Sequence, residues 1–204
     1  MSKNSIPRLA VVKREEKETK LREFVVEHLG AAWSGNVSVA HSTCLLVARS
    51  AESPVAKTIL TMGSIASMRG FAVRAIFANL GTAETARIAE ACRVSDWALQ
   101  IRWARDIRLQ DAHEQLVLGP STSWTGDCMR REPSSRDACE LYAADCAETA
   151  RRSTLYFERL WQVSEPIFER AIATPAATDI VPAQSVEQLV ASNAVKKSTT
   201  RTSA

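Results

Sequence analysis

An α/β domain with helices on both faces of a mixed β-sheet is the fold class this sequence predicts, on three observations. From Thr19 to Ala91 the apolar pattern alternates helix, strand, helix, strand, helix. Several short strand-like runs then fill Ala98–Ala143 before one long helical pattern closes the order. The run Val37–Arg49 is apolar on both faces over much of its length, as suits a central strand covered from both sides.

Taken in order, residues 1–18 are charged and aperiodic and predict a flexible arm. Leu21, Phe24, Val25, Leu29 and Trp33 set a helix over Thr19–Trp33, ended by Gly35-Asn36. After the strand Val37–Arg49, Ser53 caps and Pro54 opens a helix running to Met68. Arg69-Gly70 leads into a strand at Phe71–Phe77. Thr82 caps a helix within Gly81–Ala91, and Ala98–Arg102 is a short strand. Ala112–Leu118 and Ser123–Asp127 are strands around a turn at Gly119-Pro120. Ala138–Ala143 is a further strand, and Ala147–Phe168 is the closing helix. Residues 19–172 are expected to form one domain. Residues 173–204 are expected to be a linker and a disordered tail, with a short amphipathic helix marked by Val186, Leu189, Val190 and Val195.

Composition excludes more than it proves. A length of 204 residues suits one domain with a sizeable core plus tails. A net charge of +3 is too small to argue for nucleic acid by itself. No run approaches the roughly eighteen apolar residues that a membrane span needs. Met1–Glu16 carries no apolar core of a secretory signal, so a cytoplasmic location is expected. The five cysteines (44, 92, 128, 139 and 146) are odd in number with no CxxC spacing, which predicts free thiols in a reduced compartment.

The chemistry concentrates in residues 113–161. They read His113-Glu114-Gln115, a turn at Gly119-Pro120, then Gly126-Asp127-Cys128-Met129, then Glu140 and a helix ending Phe157…Leu160-Trp161. This order resembles the motif half of a phospholipase D superfamily unit: a His-x-Lys strand, an Asp, a Gly-Ser-x-Asn turn, a strand Glu and a Phe…Leu-Trp helix. The resemblance implies a phosphodiesterase fold in which His113 is the nucleophile and Glu140 orients it. It also implies that residues 115, 126 and 127 handle the phosphate. Here Gln115 stands for the Lys, Pro120 for the Asp, Asp127 for the Ser and Met129 for the Asn. Losing a charge-assisted phosphate contact costs on the order of 1.5–3 kcal/mol. A carboxylate about 4 Å from a phosphate charge costs roughly 4 kcal/mol at an effective dielectric near 20.

The resemblance therefore implies a catalytically degenerate domain acting in binding or regulation. The alternative is an active phosphodiesterase or nuclease that uses His113 in a homodimer, because single-motif members complete their site with a second copy. No cofactor is implied; by likeness to single-motif members a homodimer is expected in either case, with an anionic ligand or nucleic acid as the further partner class. The resemblance further places His113 and Glu140 on neighbouring strands within hydrogen-bond reach. Lesser candidates are His41, which could join His113, Asp127 and Glu140 around a metal, and the cluster Arg102, Arg105 and Arg108 with Trp103, which could hold an anion. Core packing is the plainer role for Trp97, Trp103, Trp124 and Trp161. Cys128 reads as inert filling. Arg130 and Arg131 could pair with Asp127.

Overall fold

A computed structural model describes residues 6–33, 43–62, 72–94, 98–105, 112–131 and 136–170. The strands are β1 (Arg8–Val12), β2 (Thr43–Ala48), β3 (Ala72–Phe77), β4 (Ala98–Trp103), β5 (His113–Leu118), β6 (Thr122–Cys128), β7 (Ala138–Ala143) and β8 (Glu165–Arg170). The helices are α1 (Lys17–Trp33), α2 (Pro54–Met62), α3 (Thr82–Val94) and α4 (Ala147–Val163).

The eight strands form one sheet in the order β1-β7-β6-β5-β2-β3-β4-β8. β2, β3 and β4 are parallel, since α2 and α3 return the chain between them. The other pairings are antiparallel. β2 is central and buried from Cys44 to Ala48.

The two-residue period of each strand divides the core in two. Cys44, Leu46, Leu116, Leu118, Trp124 and Tyr142 point to one side, where α1, α2 and α3 supply Leu21, Val25, Ile59 and Ile88. Leu45, Val47, Val117 and Met129 point to the other side, under Phe157, Leu160 and Trp161 of α4. Phe157 and Trp161 stack with ring centres 5.4 Å apart. The expected helix contacts on the sheet are thus present, and the mixed sheet carries helices on both faces as predicted.

Two expectations need correction. The charged segment expected to be a flexible arm to Glu18 contains β1, paired along its whole length with β7 from Arg8↔Tyr142 to Val12↔Ala138. Beneath its charges lies a strand alternation, with Val12 buried and Leu9 and Val11 turned outward. The closing helix stops at Val163. Ser164 turns extended (φ −89°, ψ 149°) and its N–H donates to the Trp161 carbonyl. Pro166, which would break a helix interior, instead lies in β8 at the sheet edge. The expected strand start at Val37, helix end at Met68 and tail elements beyond residue 170 lie outside the described residues.

Candidate active site

His113 opens β5 and is exposed. Strand alternation puts Gln115 and Val117 on its side of the sheet, and Glu114, Leu116 and Leu118 on the side of α1 and α2. His113 Nδ1 lies 2.8 Å from the Gly126 carbonyl oxygen. A carbonyl only accepts, so Nδ1 carries a proton, and in the neutral ring Nε2 is left as an acceptor. Gln115 is half-buried, and its Oε1 meets no hydrogen-bond partner among the described residues. Asp127 Oδ1 accepts the Cys128 N–H at 2.8 Å and lies 3.8 Å from an Arg131 nitrogen. Met129, in the position expected for a phosphate-binding Asn, is buried against α4.

Glu140 is elsewhere. β6 lies between β5 and β7, so the expected neighbouring-strand placement of His113 and Glu140 is corrected. Glu140 is 2% exposed, and its Oε2 accepts the indole N–H of Trp124 at 3.0 Å and the Tyr142 hydroxyl at 2.6 Å. The group holding the His113 ring is the Gly126 carbonyl, with a register shift in the β5–β6 ladder between His113 and Gln115.

Glu140 belongs to a buried polar cluster that sequence reasoning missed. Glu114, also 2% exposed, accepts the Arg49 N–H at 2.9 Å and a hydrogen bond from Ser53. Lys17, from the expected arm, is buried near both carboxylates. Burial pushes both carboxyl groups above their ordinary pKa, against the lowering influence of their donors and Lys17. The signal was available for Glu114: a charge at a core-facing position of a strand demands a partner.

Gly126 has a structural duty. The indole of Trp124 lies across it, so that a Cβ there would sit 2.3 Å from the ring. Its role at the site is a backbone carbonyl, not a side-chain turn around a ligand.

The remaining candidates resolve unevenly. His41, Trp97 and Arg108 lie outside the described residues. Among the described residues no group of three or more His, Cys, Asp or Glu is placed to hold a metal. Arg102 donates to the Trp161 and Ser164 carbonyls at 2.7 and 3.3 Å, closing the end of α4. Arg105 pairs with Glu165 at 2.9 Å and stacks on Trp103. β4 lies three strands from β5, so these arginines serve the α4–β8 corner and not His113. A cavity of about 360 Å³ opens between β1 and α1, lined by Arg8, Lys20, Glu23, Phe24, Glu27 and Tyr142. It lies on the α1 side and carries both signs of charge.

An eight-stranded mixed sheet with α1–α3 on one face and α4 on the other defines an α/β domain of phospholipase D-like fold. The chain is similar to the crystal structure of Nuc from Salmonella typhimurium, a phospholipase D family member, at 16% identity and a TM-score of 0.53, covering 79% of this chain and 99% of that one. It is also similar to polyphosphate kinase from Porphyromonas gingivalis at 12% identity and a TM-score of 0.52, covering 81% of this chain and 27% of the kinase. No family model matches the chain, and no curated protein matches it. No helix among the described residues is long and apolar enough to cross a membrane.

Proposed function

We propose that this is a phospholipase D-like domain that has lost phosphodiester cleavage and acts by binding. One observation carries the reading: the groups at the His113 end are acceptors. In the neutral form of its ring His113 offers Nε2 as an acceptor, and Asp127 carries a carboxylate whose Oδ1 accepts the Cys128 N–H. A transferring phosphoryl group needs donors and cations where its charge develops. Among the described residues Arg131 lies 3.8 Å from Asp127 and draws on that carboxylate. A ligand fitted to this site presents hydrogen-bond donors, so the expected anionic or nucleic-acid partner finds little to hold it here.

A second reading is favoured by His113 itself. Its ring is exposed and fixed at Nδ1, which leaves Nε2 free to attack phosphorus. In that reading two copies place their His113 rings across a two-fold axis, as an active homodimer requires.

Assays on single-stranded DNA, RNA and bis(p-nitrophenyl) phosphate separate the two. The binding reading expects no turnover above buffer and no phospho-histidine after acid-free quenching. Turnover that His113→Ala abolishes establishes the hydrolase.

A further inference from the structure

The two edges of the sheet are built differently. β8 ends one side with Glu165, Pro166, Glu169 and Arg170, and Glu165 is tied to Arg105. Charges and a proline are how an edge is made unattractive to another strand. β1 ends the other side with the single charge of Arg8 among apolar residues. Val12 is buried and Ala10 packs against the α1-side core, which turns Leu9 and Val11 to the α4 side. They are 66% and 73% exposed there, beside Leu141 and Cys139, while α4 packs on β2, β5 and β6. Among the described residues β1 pairs with β7 alone, so its outer N–H and C=O groups form an open ladder.

We propose that β1 pairs antiparallel with β1 of a second copy of this chain, about a two-fold axis at Ala10, so that two sheets become one. The strand is self-complementary in that register. All five residues of β1 are matched. Leu9 faces the second copy's Val11, and Val11 its Leu9, giving two apolar cross-strand pairs on the uncovered face. Arg8 faces Val12, so no like charges oppose. Shifting the axis to Leu9 brings Pro7, with no N–H, into the ladder, and shifting it to Val11 sets Lys13 against Leu9. An isologous pairing of this kind closes at two copies.

This inference is independent of whether His113 is catalytic, and it describes a different dimer from the shared-site one. β5 is the fourth strand from the β1 edge. Seven strand spacings of about 4.8 Å, roughly 34 Å, separate the two β5 strands across the joined sheet. Two His113 residues so placed cannot act on one phosphate.

Sedimentation velocity of the full chain at micromolar concentration tests the pairing. The unmodified protein is expected to run as a dimer. L9K/V11K sets lysine against lysine twice and is expected to give a monomer with unchanged circular dichroism, since both positions are exposed. L9K/V11E sets lysine against glutamate twice and is expected to restore a dimer that salt weakens. A monomeric unmodified protein, or a dimer indifferent to L9K/V11K, overturns the proposal. Failure of L9K/V11E to recover the dimer overturns the Ala10 register. Should the lysine variant lose its fold, Ala10→Cys decides: oxidation must join the two introduced thiols, located by peptide mapping, and their absence from any cross-link overturns the pairing.

Discussion

His113 and Glu114 are adjacent in sequence and serve opposite sides of one sheet. On the α1 side, Glu114, Glu140 and Lys17 are all nearly sealed from solvent, and each carboxylate accepts two hydrogen bonds. On the other side, His113 is exposed and Gln115 has an unmet oxygen. The buried side is a structural network that cannot be altered cheaply. The open side holds His113 and Gln115 of the motif, while Glu140 of the same motif belongs to the buried network.

The comparison breaks first at Trp124. Trp124→Ala removes a buried indole and a donor to Glu140, and is expected to cost about 3–5 kcal/mol. Urea denaturation measures it; a loss under about 1 kcal/mol would mean that the network does not organise this face.

Next comes pH. Burial raises both Glu114 and Glu140 above the ordinary 4.5, so the folded protein binds their protons more tightly than the unfolded chain does. Their contribution is fully present below about 4.5 and is lost as pH rises through the folded values. Lys17, Tyr142 and Asp127 are the other charged or titratable groups acting on this pair. Glu148 has the opposite sign: Arg151 and Arg152 hold it down to about 2, and its share is lost below the ordinary value. In Glu114→Gln/Glu140→Gln the fall in melting temperature from pH 5 upward is expected to flatten, because the amide oxygens still accept. An unchanged slope would place its origin elsewhere.

A smaller effect belongs to the open side. Gln115→Lys with Asp127→Ser exchanges an acceptor and a negative charge for a cation and a hydroxyl. Sulfate affinity by calorimetry is expected to rise roughly tenfold, about 1.4 kcal/mol. No change would show that residues 115 and 127 do not face one pocket. The smallest effect is expected from His113→Ala, within about 0.5 kcal/mol of the parent in stability. A loss comparable to that of Trp124→Ala would erase the contrast between the two sides.

The strand placement of the candidate residues was legible, but not their wiring. Strand alternation set His113 and Gln115 on one side of β5, as the fold has them. What orients His113 was not legible, because a backbone carbonyl leaves no mark in a sequence. Glu140 was found as a strand carboxylate, but its partner Trp124 was read as packing alone. Lys17 was hidden by the charges around it, which made Arg8–Val12 look like part of an arm.

Spacing alone determined the α/β class, the central position of β2 and the apolar stripe of α4. These depend on local periods, and burial enforces a period wherever a strand or helix must hide one face. Tertiary structure decided the rest. It inserted β6 between His113 and Glu140, and carried β1 across the chain to the edge beside β7. Pairing over long sequence separations is chosen by which strands complete each other's hydrogen bonds and cores, and the residues of one strand do not contain that choice.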